Sequence, residues 1–352
     1  MNKDGYVIGI QKMLESYPEF VKDFYFSKVS NNYSYATLYD YMLEYKKFFH
    51  WLIKKKILNV SSIKEITLKQ LEDLHRNDIE RFIIDERTRL ENIREGNHLK
   101  ALHRLLASLK TLYNYLSFEA ENELGDPYIL KNIMLRVSIK KESDTLNYRA
   151  SKLDGKLFLG LETNSFLNFV EHDYENLISP RALTSFKKNK ERDLAILSLF
   201  LASGIRNAEL VNTDFKDFEL SKRLVSVMRK EGNRDTVPFA PFASKFLKNY
   251  LDVRTLKYFA DENTEALFLT LHNGQPSRIS SAAINKLVEK YSQAYKVRVT
   301  PHMLRHTLAT RLYMNTHDQV LVATQLGHSS TSATQLYTHI AQSELHNALD
   351  RL

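Results

Sequence analysis

The sequence predicts a mainly α-helical protein of two domains, with a small antiparallel β-sheet in the second domain. Three observations lead to this prediction. Apolar residues recur at intervals of three and four over long stretches, which is the period of an amphipathic helix. Short β-rich runs stand out in one region, 224–239. The length of 352 residues exceeds that of one typical domain and is enough for two, each with its own core.

The N-terminal region, 1–136, is predicted to form a helical domain of four or five helices. Two amphipathic segments support this, YATLYDYMLEYKKFFHWLIKKK and NHLKALHRLLASLKTLYNYLSF, in which basic residues fall largely between the apolar positions. We expect these apolar positions to be buried: Leu38, Met42, Tyr45, Phe49 and Leu52 in the first segment, and Leu102, Leu105, Leu109, Leu112 and Leu116 in the second. Core packing with solvated lysines accounts for most residues of both segments.

A break in the pattern divides the chain. Residues 137–153, which include SIKKESDTLNYRASK, are polar and have no apolar period, so we expect a linker there. The remainder, 154–352, is predicted to form a second domain.

Local signals place the elements of this second domain. A helix over 194–202 is expected to stop at Gly204, because glycine readily adopts the left-handed conformation that closes helices. The runs LVSVMRK and RDTVPF flank Glu231-Gly232-Asn233, which predicts a hairpin with a glycine-containing turn. Thr300 and Pro301 predict an N-cap followed by proline in the first turn of another helix.

Composition limits the class of protein. The net charge is +8, which favours a polyanionic partner such as a nucleic acid, although lysines also decorate ordinary helix surfaces. The apolar run 194–205 is well short of the ~20 residues that span a membrane. The absence of cysteine excludes disulfides and cysteine-bound zinc, and we expect a cytoplasmic protein without a signal peptide.

Five segments of the second domain carry the residues of greatest chemical interest. They are SGIRNAEL (203–210), MRKEGNRD (228–235), TPHMLRHTLATRL (300–312), QLGHSS (325–330) and QLYTHI (335–340). Each residue alone has an ordinary explanation. Arg206 could pair with Glu209 on the surface, Lys230 could be a turn lysine, and Tyr337 is one of 19 tyrosines. Their order is what makes coincidence improbable.

In order and content these segments resemble the tyrosine recombinase (phage integrase) family. The longer stretches KNKERDLAILSLFLASGIR, KVRVTPHMLRHTLATRLY and QLGHSSTSATQLYTHI are similar to the Xer branch of chromosome-dimer-resolving recombinases, in particular the type that works without a second paralogue. The motifs cover roughly 170–352, whereas the N-terminal region matches only in general character. The resemblance implies a catalytic set of Arg206, Lys230, His302, Arg305, His328 and the nucleophile Tyr337, with Glu209 in support.

Physical chemistry explains why such a set is needed. Two guanidiniums can hold the non-bridging oxygens of a phosphodiester without a metal, which is the role expected of Arg206 and Arg305. Tyrosine is a weak nucleophile at neutral pH, and His302 is the candidate base or hydrogen-bond partner for Tyr337. Lys230 could protonate the leaving 5′ oxygen, and His328 could hold a further phosphate oxygen. No cofactor or metal is expected.

The resemblance also implies an assembly. The two domains would form a C-shaped clamp around double-stranded DNA, and four protomers on two duplexes would exchange strands through a Holliday junction. The C-terminal segment, with Ile340, Leu345, Leu349 and Leu352 in an apolar stripe, would dock into a neighbouring protomer, although in a monomer it could instead cap its own domain. A DNA translocase of the FtsK type is a possible partner.

Several alternatives remain open at this stage. A mobile-element integrase would use the same residues, a type IB topoisomerase shares the tyrosine intermediate, and a noncatalytic DNA-binding protein would need no chemistry. His302 and His306 have the spacing of zinc-binding helices, but HMLRH lacks the glutamate of that motif and places Arg305 beside the cation. His306, His317 and His339 are interpreted as structural or surface histidines.

Overall fold

The computed structural model describes residues 3–93, 98–140, 144–153, 155–229, 232–328, 330 and 334–341. It divides into two compact units, Met1–Ser143 and Asp144–Leu352. Among the described residues, no helix combines the length and apolar character needed to cross a bilayer.

Over its described residues, the regular elements of the first unit are helices, apart from an isolated β-bridge between Glu121 and Pro127. Its α-helices are α1 (Lys3–Leu14), α2 (Glu19–Ser30), α3 (Tyr35–Lys54), α4 (Leu68–Glu72), α5 (Arg76–Ile93) and α6 (His98–Asn114). The described residues of this unit thus contain six α-helices, whereas four or five were predicted. The short α4 was not predicted, because a helix of five residues is too short to show an apolar period.

The two amphipathic segments form α3 and α6, as predicted. Ser34 caps α3 by accepting a hydrogen bond from the backbone N–H of Thr37. The hydroxyl of Tyr45 on α3 donates to the Ser108 carbonyl of α6 at 3.0 Å. All ten residues expected to face the core are buried. The periodicity therefore identified the packing faces of both helices.

The second unit combines helices with two small antiparallel sheets. Its helices are α7 (Leu146–Ser151), α8 (Glu162–Asn168), α9 (Pro180–Ser203), α10 (Asn207–Asn212), α11 (Ala243–Tyr258), α12 (Ser281–Tyr295), α13 (Pro301–Thr316) and α14 (Gln319–Leu326), and residues 335–341 are also helical. One sheet contains β1 (Phe218–Glu219), β2 (Leu224–Met228) and β3 (Arg234–Pro238) in that order, and the other pairs β4 (Leu269–His272) with β5 (Gln275–Arg278). The predicted mainly α-helical fold with a small antiparallel sheet is confirmed.

The β-hairpins show one prediction that succeeded and one signal that was overlooked. β2 pairs with β3 from Met228 opposite Arg234 to Leu224 opposite Pro238, which is the hairpin expected over 224–239. The β4–β5 hairpin turns at Asn273-Gly274, where both residues have positive φ, 50° and 79°. An Asn-Gly pair between two strands is a strong hairpin signal that the sequence analysis did not use.

The C-terminal end of α9 and the N-terminal end of α13 lie at the candidate site. α9 ends at Gly204, which has the predicted left-handed conformation, with φ of 67°. A Cβ there would lie 2.8 Å from the side chain of Leu308, so the glycine also permits α13 to approach. α13 begins at Pro301 as predicted. Thr300 occupies its N-cap position, but the threonine side chain makes no capping hydrogen bond, contrary to expectation.

The segment predicted as a linker contains a short helix. The division between the units falls within 137–153, but α7 forms after it, capped by Thr145, whose side chain accepts from the Tyr148 N–H. Ala150 is buried in the cluster that also contains Tyr337. Six residues are too few to reveal a period among polar neighbours, so the sequence did not show this helix.

A buried ionic cluster joins α9 to α12 and β4. The Asp193 carboxylate accepts from Arg192 Nε at 3.0 Å and Nη2 at 2.7 Å, and from the Tyr291 hydroxyl at 2.7 Å. Arg192 also donates to the Leu269 carbonyl at 3.0 Å. Both charged side chains are almost fully buried. The carboxylate therefore compensates a cation that water cannot reach.

We predict that Asp193→Asn lowers the free energy of unfolding by about 3 kcal/mol, because it leaves the Arg192 charge buried without its counter-ion. Urea unfolding followed by circular dichroism measures this change. Glu191→Gln is the matched control, since its pair with Lys257 is only partly buried and should be worth less than about 1 kcal/mol. Equal effects of the two substitutions would contradict the assignment of Asp193 as a structural counter-ion.

Candidate active site

Arg206 lies at the N-terminus of α10, two residues after the turn at Gly204. Its backbone N–H and its Nη1 both donate to the Glu209 carboxylate at 2.7 Å. Its Nη2 donates to the Gly327 carbonyl at 3.3 Å. One carboxylate therefore fixes both the main chain and the side chain of Arg206.

Glu209 also binds a second guanidinium. Arg229, at the end of β2, donates through Nη1 to both carboxylate oxygens of Glu209 at 3.2 Å, and through Nε to Asp235 at 2.9 Å. Burial raises the pKa of Glu209, but the hydrogen bonds from Arg206 and the charges of both arginines outweigh this and hold the pKa below its ordinary value. Glu209 is therefore an anion at neutral pH.

Arg305 is held by carbonyl groups rather than by a carboxylate. Its side chain on α13 is buried, and it donates from Nη1 to the Gly204 carbonyl at 2.6 Å and from Nη2 to the Leu326 carbonyl at 2.5 Å. Burial and then the nearby Arg206 lower its pKa to about 10, with Glu209 acting in the opposite direction. Both candidate phosphate-binding arginines thus share one region, and Arg305 remains charged at neutral pH.

Two of the predicted histidines lie beside these arginines. His302 is exposed on the first turn of α13, and His328 follows Gly327 after α14. Desolvation and then the charges of Arg305 and Arg206 lower the pKa of both rings, that of His328 to about 4. The Nδ1 atom of His328 is buried and has no hydrogen-bond partner among the described residues. Both imidazoles are therefore neutral at neutral pH.

Tyr337 is buried, and its hydroxyl is paired with a histidine. The phenolic oxygen lies 3.1 Å from Nδ1 of His306, whose ring centroid is 4.4 Å from that of His302. Burial raises the pKa of Tyr337 to about 12, although Arg305 and Arg149 reduce the rise. Burial and then the charges around it lower the pKa of His306 to about 3. The phenol therefore keeps its proton and lies beside a neutral imidazole.

The structure brings most of the predicted residues together. Arg206, Glu209, His302, Arg305, His328 and Tyr337 are linked by the contacts and charge interactions described above, whereas Lys230 lies outside the described residues. The partner of the Tyr337 hydroxyl is His306 rather than the expected His302. No group of three or more His, Asp or Glu side chains in the described part of the chain could hold a metal ion.

Three residues of the site were missed in the sequence analysis. His306 lies one helical turn after His302, so its spacing already placed it on the same face of α13. Arg229 precedes Lys230 and could have been suspected from that position alone. Arg149 on α7, whose charge acts on both Tyr337 and His306, gave no signal, because it lies in a polar segment without a recognised helix.

The arrangement defines a class of chemistry. A tyrosine hydroxyl near the guanidinium of Arg305, which in turn lies near Arg206, suits attack on a phosphodiester, because the cations can stabilise the charge that develops on the phosphate oxygens. Together with a helical fold of two units, this arrangement of side chains is typical of an enzyme that breaks and rejoins DNA through a tyrosine.

Sequence comparisons lead to the same class and name the family. The sequence model of the phage integrase family matches residues 168–344. The tyrosine recombinase XerS of Lactococcus lactis subsp. lactis (strain IL1403) is 49% identical over the whole of both chains. The XerS of Streptococcus uberis (strain ATCC BAA-854 / 0140J) is 50% identical over 95% of each chain. The chain therefore belongs to the tyrosine recombinase family, whose members break and rejoin DNA.

Solved structures support the fold. The XerH site-specific recombinase bound to its difH substrate matches 91% of this chain and 81% of its own, with a TM-score of 0.61 and 21% identity. A lambda integrase dimer bound to a COC′ core site matches 91% and 94%, with a TM-score of 0.54 and 15% identity. At these identities the likeness shows the shared fold.

We predict that His306 makes the protein less stable in acid. In the folded protein the pKa of this ring is about 3, whereas in the unfolded chain it is near 6.5. The contribution of the neutral ring to the free energy of unfolding is therefore complete above pH 6.5 and is lost as the pH falls toward 3. From pH 7 to pH 5 the free energy of unfolding decreases in both proteins. We expect the decrease to be about 2 kcal/mol larger in the unsubstituted chain than in His306→Asn. Urea unfolding at the two pH values measures this difference.

His317→Asn is the matched control, because His317 is exposed at the C-terminal end of the same helix. An equal loss of pH dependence in both variants would show that the effect does not come from the environment of His306.

Proposed function

We propose that the chain cleaves and rejoins DNA at a specific site through a 3′-phosphotyrosyl bond to Tyr337. This proposal rests on the position of the Tyr337 hydroxyl. The hydroxyl is hydrogen-bonded to His306, and the charges of Arg305 and Arg149 act on the pKa of Tyr337. The family membership of the whole chain supports this proposal.

The proposed step is an in-line transfer. The Tyr337 oxygen gives its proton to His302 and attacks the phosphorus, the bond from phosphorus to the 5′ oxygen breaks, and the 5′ oxygen leaves with a proton from Lys230. Arg206 and Arg305 bind the non-bridging oxygens, and His302 and His328 donate to the same phosphate as the charge on it grows. Each arginine would exchange part of its carbonyl contacts for phosphate oxygens.

The buried hydroxyl sets a requirement for this step. A phenol with a pKa of about 12 is almost wholly protonated at neutral pH, so the protein alone contains an unreactive nucleophile. Binding of DNA must therefore expose the hydroxyl and provide a route for its proton. The ester then conserves the energy of the broken bond, so a 5′ hydroxyl from another strand can reseal the DNA without ATP.

The biological role we propose is the resolution of chromosome dimers in the cytoplasm. The support is the identity of about half of all residues with XerS proteins over the full chain. The partners would be a double-stranded recombination site, three further copies of this chain, and a DNA translocase of the FtsK type.

The first test is Tyr337→Phe. This variant should form no covalent complex with a suicide substrate nicked near the scissile phosphate, yet bind DNA nearly as tightly, because one hydroxyl adds little to an interface dominated by phosphate contacts. Denaturing gels detect the complex. The assay contains EDTA, since no metal is expected, and cleavage that required a divalent ion would favour a metal nuclease instead.

Tyr313→Phe provides the matched control. Tyr313 packs against the same apolar cluster as Tyr337, so its loss of a hydroxyl tests the effect of a nearby Tyr→Phe change on folding. Covalent trapping by Tyr337→Phe would overturn the proposed nucleophile. Mapping the trapped sites on genomic DNA would separate a site near the replication terminus from the ends of a mobile element.

The second test concerns the tetramer. Deleting 343–352 should leave the binding of one protomer to DNA intact but weaken cooperative assembly and recombination, because Leu345 and Leu349 would lose their proposed groove on a neighbour. These residues lie outside the described part of the chain. Gel-shift titrations and strand-exchange rates measure the two effects. Recombination at the full rate, or unfolding of the truncated chain, would contradict tail exchange.

A further inference from the structure

The Tyr337 hydroxyl has a single hydrogen-bond partner among the described residues. It lies 3.1 Å from Nδ1 of His306, and the two rings are tilted at a centroid distance of 5.7 Å. His302, which the proposed reaction uses as the base, makes no hydrogen bond to this hydroxyl in the described part of the chain, although its ring centroid is only 4.4 Å from that of His306. The residue that holds the nucleophile is therefore not the residue proposed to take its proton.

The position of the hydroxyl keeps it away from solvent. Tyr337 is only 2% exposed, and its neighbours Leu336 and Ile340 are buried in the same apolar cluster. His306 is partly buried beside the phenol, whereas His302 on the first turn of α13 is exposed. A phosphate arriving from solvent can therefore reach the ring of His302 but not the phenolic oxygen, so the hydroxyl has to move before it can attack.

The hydrogen bond to His306 stabilises this withdrawn position. A buried hydroxyl has given up its contacts with water, and leaving it without a partner shifts an equilibrium roughly fivefold to a hundredfold. The helix over 335–341 is also tied at a second point, because Gln319 Nε2 on α14 donates to Thr338 Oγ1 at 2.9 Å. That second bond holds the helix in place, whereas the bond to His306 holds the reactive oxygen itself.

We propose that His306 is a positioning residue that withholds the Tyr337 hydroxyl in the DNA-free protein and gives it up to His302 when DNA binds. His302 and His306 are one helical turn apart on α13, so the hydroxyl changes partner by a short movement along this helix. The bound phosphate adds negative charge beside His302, which favours its protonated form and so the transfer of the phenolic proton to it. This inference rests on the proposed function, specifically on Tyr337 as the nucleophile and His302 as its base.

The first measurement is made without DNA. Tetranitromethane nitrates accessible tyrosines, and mass spectrometry of the digested protein gives the rate at each position. His306→Phe keeps a ring but removes the nitrogen that bonds the hydroxyl, so the nitration rate of Tyr337 should rise roughly fivefold to a hundredfold. His306→Asn keeps a polar group at the position of Nδ1, so the rate should stay within about threefold of that in the unsubstituted chain.

Thr338→Val is the matched control, because it removes a hydrogen bond from the residue next to Tyr337 and leaves the bond to His306 in place. It should not change the nitration of Tyr337. Tyr148, which is 53% exposed, is the internal reference for the reagent, and the fully buried Tyr291 reports any loss of fold. If Tyr291 also becomes reactive in His306→Phe, His306→Leu repeats the measurement with a smaller apolar side chain.

The second measurement is single-turnover cleavage of the nicked suicide substrate. If His306 only withholds the hydroxyl, His306→Phe should cleave at least as fast as the unsubstituted chain, because His302 remains available as the base and keeps an aromatic ring beside it. If His306 instead takes part in the chemistry, the same variant should cleave more slowly. The direction of the change in rate therefore separates withholding of the nucleophile from catalysis by His306.

The outcomes distinguish this inference from the function on which it rests. Unchanged nitration of Tyr337 in His306→Phe, or an equal rise in Thr338→Val, would show that the bond to His306 does not withhold the hydroxyl. Slower cleavage by His306→Phe would make His306 part of the reaction, so the inference would be wrong while the proposed function stood. If the unsubstituted chain forms no Tyr337-dependent complex at all, the proposed function is overturned and the inference fails with it, whatever the nitration rates.

Discussion

Two like-charged guanidiniums, the partly exposed Arg206 and the buried Arg305, lie close together in the second unit, and several of its elements compensate their charge. Burial and then the charge of Arg206 lower the pKa of Arg305. One anion, Glu209, opposes this lowering directly. The remaining compensation comes from the carbonyl groups of Gly204, Leu326 and Gly327. Carbonyls leave the cations available for a phosphate, which a second carboxylate would not.

These carbonyls come from the C-terminal ends of α9 and α14. The last carbonyls of a helix lack partners within the helix and carry its negative dipole end, so they suit a buried cation. Both helices close with a left-handed glycine, Gly204 and Gly327, which turns the chain sharply beside the arginines. Helix termination and cation binding are thus served by the same residues in this protein.

The sequence predicted features that depend on local rules and on the order of motifs. The apolar period identified α3 and α6, the Gly204 stop ended α9, and the β2–β3 hairpin followed from its turn. It did not predict contacts between residues far apart in the chain. The bond from Tyr337 to His306 and the contact of Arg229 with Glu209 depend on how helices and strands pack, and a single sequence does not contain that geometry. α7 was missed because a short helix with few apolar residues resembles a linker.

The position of α7 has a consequence for exchanging DNA-binding domains between enzymes of this kind. Leu146, Ala150 and Leu153 pack in the same apolar cluster as Tyr337, although they lie within ten residues of the division between the two units. A chimera joined after 153 would replace part of the wall that surrounds the nucleophile. A chimera joined at 143 would transfer the catalytic half with its own wall intact, so the two ends of the predicted linker, 137–153, are not equivalent as fusion points.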